Sequence, residues 1–285
     1  MSAVAQTVGL PRPPQPKALR RIWRFFGDRA LTVFCVLALT YLLLPIAIVV
    51  LFSFNNPAGR FNYTWEGFTT RYWTNPFGVP GLLDAMETSL KIAGIATTAA
   101  TVLGTLVALA LARYRFRGRA ATNVLIFLPM TAPEIVLGAS LLTLFLNLAI
   151  ATGFWTIVAA HIMFCISFAV VTLKARLAGF DRHLEEAAMD LGANEWATFF
   201  KVTLPLIAPG IMAAALLCFA LSIDDFVITY FNAGSTVTFP IFVWGSARVG
   251  VPPQVNVMGS MIFFAAVAIM LANILLQRRR EKGSA

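Results

Sequence analysis

The sequence predicts an all-α membrane protein of six transmembrane helices with both termini in the cytoplasm. Of its 285 residues, 59% are hydrophobic and 12% charged, whereas a soluble domain carries about a quarter charged residues. The apolar residues fall in runs long enough to cross about 30 Å of hydrocarbon. Eighteen of the 22 Lys and Arg lie at those ends of the runs that alternate onto one side, which is how cytoplasmic loops are marked. The net charge of +9 is therefore an orientation signal and not a nucleic-acid footprint. Cys35, Cys165 and Cys218 sit inside apolar runs without ligand spacing, in keeping with a role as small hydrophobes.

Taken in order, residues 1–30 read as a disordered, basic cytoplasmic tail, with the run Pro11-Arg12-Pro13-Pro14-Gln15-Pro16 ahead of Arg20, Arg21, Arg24 and Arg29. Residues 31–54 give a first helix of about 36 Å, too long for the apolar core of a cleaved leader and so expected to remain. Residues 55–83 form an extracytoplasmic loop in which Tyr63, Trp65, Phe68, Tyr72 and Trp73 suit the membrane interface. Residues 84–276 hold five more helices. The second, 85–113, carries a stripe of small residues, including Gly94, Gly104 and Ala108, that lets neighbours approach closely. The third, 121–148, is interrupted by Pro129, Pro133 and Glu134, which demand backbone that lines a cavity or is buried in protein. The fourth covers 154–173, the fifth 207–231 with Asp224 and Asp225 inside it, and the sixth 257–276. Residues 277–285 close the chain as a cytoplasmic tail.

Between the fourth and fifth helices lies a polar island, 180–205, holding five of the thirteen acidic residues. Asp181 is placed to cap a short helix whose Leu184, Ala187, Ala188 and Leu191 share one face. Gly192 ends it in the left-handed region. Asn194 caps a second helix with Trp196, Phe199, Phe200 and Thr203 on one face, and Pro205 marks a boundary before the next run. Periodicity alone allows either packing on the protein's own surface or docking onto another chain.

Glu186-Ala187-Ala188, Gly192 and Val202-Thr203-Leu204-Pro205 resemble the EAA loop of ABC importer permeases, which reads E-A-A, three residues, G, nine residues, I-x-L-P, with Val202 standing for Ile. The resemblance implies the type I ABC importer (MetI-like) fold. It also places Glu186, Ala187, Ala188, Gly192, Trp196, Phe199, Leu204 and Pro205 in a coupling element that fits a groove of an ATPase subunit.

No G-x-x-x-x-G-K-[ST] motif, metal-ligand cluster or nucleophile–base pair is present, so neither ATP binding by a P-loop nor catalysis is expected of this chain, and no cofactor or metal. The chemistry open to it lies in four charges within apolar runs: Lys91, Glu134, Asp224 and Asp225. Helix rise places Asp224 about 26 Å from the inner end of its helix, Lys91 about 9 Å from the outer end and Glu134 roughly 20 Å from the inner end. All four are thus expected in an outward-opening cavity, net negative and suited to an elongated cation with separated ammonium groups. Alternatively, Lys91 pairs with one of the aspartates and only ties helices together. His161 reads first as a hydrogen-bonded packing residue and second as a substrate contact.

Ser53-Phe54-Asn55, the run from Leu221 to Thr229 around Asp224-Asp225, and Ser246-Ala247-Arg248-Val249-Gly250-Val251 look like the spermidine/putrescine importer permeases, as does the run from Glu185 to Ala193. This resemblance implies a permease subunit in the bacterial inner membrane. Its partners would be a homologous second permease chain, two ATPase subunits that bind ATP and Mg, and an extracytoplasmic polyamine-binding protein. The rivals are a self-contained secondary transporter or channel for a small cation, for which the missing internal repeat tells against, and an ABC permease for another small solute.

Overall fold

The computed structural model describes residues 17–59 and 61–283, and every regular element among them is a helix. The order is α1 (Lys17–Phe52), α2 (Arg71–Thr74), α3 (Leu82–Arg113), α4 (Arg119–Thr131), α5 (Glu134–Asn147), α6 (Phe154–Ala178), α7 (His183–Asp190), α8 (Glu195–Thr198), a π turn (Phe199–Thr203), α9 (Leu204–Asp224), α10 (Val227–Asn232), α11 (Phe239–Val249) and α12 (Pro253–Gly283). Five of these stretches are long and apolar enough to cross a membrane, and α4 with α5 makes a sixth if the bent pair counts as one.

The core is a three-helix cluster of α3, α6 and α9, built from small side chains. Ala100 and Ala108 of α3, Ala160, Cys165 and Ala169 of α6, and Ala214 and Cys218 of α9 are all fully buried in it. Without a hydrophobic driving force between helices in lipid, close backbone approach provides the attraction, and glycine sets how close that can be. A Cβ added at Gly104 would lie 2.6 Å from the Ala169 Cβ, and one at Gly210 2.7 Å from Cγ of Arg176. Arg176 lays its stem over Gly210 and donates to the Leu206 carbonyl at 3.2 Å.

Around this core the remaining helices are interrupted or apart. The α4–α5 pair turns by 109° between Thr131 and Glu134; Pro133 supplies no amide and its ring excludes helical backbone at Ala132, which is extended at ψ 140. The break expected in the third span is thus a corner and not a kink. The fifth span also stops: α9 ends at Asp224, Asp225 is extended at ψ 122, and α10 then packs on α5. Gly138 makes that contact possible, since a Cβ there would meet the Phe231 ring at 2.8 Å. Helix α11 lies between the fifth and sixth expected spans, where no helix is predicted from the sequence. No residue in the most apolar stretch of α1 is fully buried within the chain, although α1 runs beside α12.

Beyond α1 the loop is an ordered polar knot rather than a loose belt of aromatics. Asn55, fully buried, donates to Asn62 Oδ1 and to the Thr64 carbonyl, both at 2.6 Å, and accepts from the Glu66 amide at 2.8 Å. Asn62 donates to the Phe52 carbonyl at 2.8 Å, at the end of α1. Phe54 stacks between Phe68 and Trp73, with centroids at 5.5 and 5.2 Å.

Three expected boundaries are corrected. Residues 17–30, read as part of a disordered tail, belong to α1, because beyond Pro16 no proline interrupts the run until Pro45; residues 1–16 of that tail lie outside the described residues. Most of the 277–285 tail continues α12 to Gly283, and Ser284 and Ala285 lie outside the described residues. Pro205 is not a boundary between two helices but sits in the first turn of α9, in line with the π turn before it.

The Gly104 contact is testable. Gly104→Val must push α3 off α6, and overpacking of this kind costs about 1–3 kcal/mol; the purified protein should melt several degrees lower, whereas Gly94→Val, with nothing within 4 Å of its added Cβ, should melt unchanged.

Candidate coupling surface and solute-path site

The island 180–205 folds as two short helices about a glycine. Asp181 Oδ1 accepts from the His183 amide at 3.0 Å and lies 2.7 Å from its ring Nδ1. Gly192 has φ +90 and open space where a Cβ would point, so only its backbone conformation requires glycine. Asn194 Oδ1 accepts from the Ala197 amide at 2.8 Å, capping α8. Pro205 can donate no amide and crowds the carbonyl four residues back. The widened turn before it, with the Leu204 amide bonded to the Phe199 carbonyl, absorbs that defect without breaking the helix. From Glu195 to Asp224 the chain is therefore one continuous 30-residue helical stretch.

One carboxylate fixes this unit to the core. Glu185 accepts from the guanidinium of Arg113 at the end of α3 and from the hydroxyl of Thr203 in the π turn. Arg182 donates to the Ala112 carbonyl at 2.8 Å. Glu186, the next residue, is exposed, as are Ala187, Gly192 and Pro205, while Ala188 and Leu204 are half-buried. The outward face is apolar: Leu191 is 90% exposed and Trp196 74%. Trp196 stacks on Phe200 at 6.1 Å with planes 13° apart, and Phe199 meets Phe200 edge-on at 5.1 Å. The aromatic pair presented outward is thus Trp196 with Phe200. Phe199, placed there by periodicity as well, is half-buried.

The second site is the break after α9. His161, 2% exposed on α6, has Nδ1 at 2.7 Å from Ser222 Oγ and Nε2 at 2.9 Å from Thr229 Oγ1 and 3.3 Å from Asp225 Oδ2. The same carboxylate oxygen accepts from the Thr229 amide and hydroxyl, each at 2.7 Å. Asp225 is therefore tied through Oδ2 to the first turn of α10 and to His161, whereas neighbouring Asp224 is exposed and lies within electrostatic reach of Asp225, Glu134 and His161. Glu134 stands exposed in the first turn of α5, where the helix dipole favours an anion. Lys91 does not join them. It pairs with Glu87 at 2.6 Å, one turn back on α3, with both side chains more than half exposed. A partner at i−4 on the same helix was nearer than any across the bundle, and this ends both the four-charge cavity and the Lys91–aspartate bridge.

A family model described as "Binding-protein-dependent transport system inner membrane component" matches residues 100–280, more than half of the chain. The chain belongs to this family. It is 40% identical over 245 residues to the spermidine/putrescine transport system permease protein PotC of Escherichia coli (strain K12), covering 86% of this chain and 92% of that one. It is 39% identical over 259 residues to the putrescine transport system permease protein PotI of the same strain, covering 88% and 91%. A crystal structure of a bacterial ABC transporter for import of the acidic polysaccharide alginate superposes with a TM-score of 0.63 at 17% identity, covering 94% of this chain and 99% of that one. The MetNI methionine ABC transporter gives 0.55 at 15% identity, over 67% and 92%. At such identities these two show shared fold alone, which is the fold expected from the Glu186-to-Pro205 pattern. The protein is a multi-pass inner-membrane component of a binding-protein-dependent transport system, a translocation subunit rather than an enzyme.

Two residues of this permease escaped the sequence reading. Glu185 was passed over beside Glu186, because adjacent glutamates on a helix point about 100° apart and only the position of Arg113, 72 residues earlier, decides which turns inward. Arg182 was counted only as a cytoplasmic charge.

The loop predicts a titration. The carboxylate of Asp181 holds the His183 imidazole above its ordinary value, first through the ring hydrogen bond and then through charge, with Glu186 adding to it; Asp181 in turn is held low, mainly by the His183 amide. A raised histidine adds stability that is complete below the ordinary histidine range, near 6.5, and lost as pH rises through the raised value. With only two histidines in the chain, NMR of labelled imidazoles should show His183 titrating above that range and Asp181→Asn returning it there. Glu185→Gln should raise proteolysis of the 180–205 loop, while Glu186→Gln should leave it unchanged.

Proposed function

We propose that this chain is one permease subunit of an ATP-driven importer of polyamines of the putrescine and spermidine type, working in the bacterial inner membrane with both termini in the cytoplasm. Its partners are a homologous second permease, two ATPase subunits carrying ATP and Mg, and an extracytoplasmic polyamine-binding protein. The observation that carries the reading is identity of 39–40% to PotC and PotI over nearly the whole chain, through both the island and the α9 break. The solved alginate transporter in complex with its solute-bound periplasmic protein supports the assembly.

The geometry supports a mechanism. The exposed face of Leu191, Trp196 and Phe200, with Glu186 beside it, is the surface that enters an ATPase groove. Glu185 ties that surface to the inner end of α3, so a displacement of the loop reaches the core rather than dissipating in a flexible link. The stretch 195–224 carries it about 45 Å to Asp224. There the helix is already broken, so motion at its end changes the surroundings of Asp224 and Glu134 without new backbone bonds being lost. These two carboxylates, exposed near each other, favour a cationic solute, and their exposure keeps the attraction weak enough for release.

Co-expressed with its partners, the complex should take up radiolabelled putrescine or spermidine with ATP hydrolysis. Gly192→Ala, which forces a left-handed alanine at about 1–2 kcal/mol, and Glu186→Arg should each cut uptake at least tenfold while the permease chains still co-purify. Asp224→Asn should lower uptake with assembly intact, whereas Asp225→Asn should lower the yield of assembled complex. Transport by the isolated chain without an ATPase would exclude the importer reading.

A further inference from the structure

Above the α9 break three aromatic rings are gathered by α10 and α11. Phe226, next but one to Asp224, lies with its centroid 5.4 Å from Tyr230 and 5.3 Å from Trp244, tilted 36° and 42° to them. The flanking rings are open, Tyr230 being 56% and Trp244 46% exposed. The Trp244 face already carries a cation: the guanidinium carbon of Arg248, one helical turn on, stands 4.9 Å from its centroid. Among the described residues no carboxylate lies within 4.0 Å of Arg248, so the ring face is a cation's partner there without an ion pair. An indole face attracts ammonium groups as it does guanidinium, through its quadrupole, and most strongly where water is displaced. An interfacial belt alone would account for exposed Tyr and Trp, but not for three rings in mutual contact, the first of them two residues along the chain from an exposed carboxylate, with a cation seated on one.

We propose that Phe226, Tyr230 and Trp244 form a platform that receives one ammonium group of the solute, and that Arg248 holds that seat when solute is absent. The inference rests on the polyamine reading and assigns it a place: one ammonium on the aromatic platform, the chain between, and a second ammonium toward Asp224 and Glu134. Arg248, tethered beside the seat, leaves it as a solute amine arrives and returns when the amine passes inward. A resident positive charge at that point also opposes the passage of inorganic cations, which gain less from a ring face after losing their hydration.

The test uses the whole complex in nanodiscs, with equilibrium binding of radiolabelled putrescine in the absence of the binding protein and uptake measured on the same preparation in liposomes. Trp244→Leu should weaken binding about fivefold and Trp244→Phe less than twofold, as expected for loss or retention of a π face. Arg248→Gln should tighten binding about fivefold by removing the competitor, an outcome that a merely structural arginine would not produce. Unchanged binding in Trp244→Leu, weaker binding in Arg248→Gln, or no binding by a wild-type complex that transports putrescine would each overturn the platform and leave the importer reading standing. Absence of putrescine and spermidine uptake by the wild type would remove the polyamine reading and the platform with it.

Discussion

Interrupting a helix inside an apolar segment frees amides and carbonyls that hydrocarbon cannot satisfy, and the structure is arranged around meeting that demand after Asp224. Asp225 replaces the missing backbone acceptor for Thr229 at 2.7 Å, and His161 on α6 holds Asp225, Thr229 and Ser222 together. The clamp ties both pieces of the broken span to one core helix. The break is thus fixed, and α10 can lean on α5 while α9 stays in the core. The cost of burying an aspartate is met by charge-assisted hydrogen bonds, which leaves its neighbour Asp224 free of structural duty.

A second fixed point stands at the opposite end of the same rod. Glu185, held by Arg113 and Thr203, bolts the short helices to α3 and to the π turn. Between the two clamps runs helix without interruption, packed through Ala214 and Cys218 against α3 and α6. Small side chains at these contacts leave α9 free to slide or tilt with little steric conflict, whereas large interdigitating ones would lock it. The core is close-packed where it must be stable and smooth where it moves.

Much of this was legible in the sequence. The six apolar stretches, Gly192 as a left-handed terminator, Asn194 as a cap and the hydrogen-bonded role of His161 follow from local rules that act within a few residues. What was not legible depends on distance along the chain. Glu185 and Glu186 are equivalent until Arg113 is brought beside one of them. Asp224 and Asp225 are a doublet until His161, more than sixty residues earlier, claims the second. The widened turn from Phe199 to Thr203 is not legible either, since Pro205 accounts for it only once the helix is known to continue through it. Lys91 failed in the opposite sense: a local partner, Glu87, was overlooked in favour of a distant one. Helix α11, short and with a proline at its start, gave no periodic signal strong enough to separate it from a loop.

The knot around Asn55 acts as a collar on α1. With none of its most apolar window fully buried in the chain, α1 is held there only by partial contacts with α12, such as Val49 against Gly259. A greasy cylinder of this kind is free to bob along the bilayer normal as thickness varies. The knot prevents that, because its buried amides and carbonyls are mutually bonded and too polar to be drawn into hydrocarbon. Trp73, bonded to Ser53 at 3.1 Å and beside Phe264 at 6.5 Å, fastens the collar to α12. Axial height, which helix packing sets for the core, is thus set for the outermost helix by a ring of side-chain amides at its end.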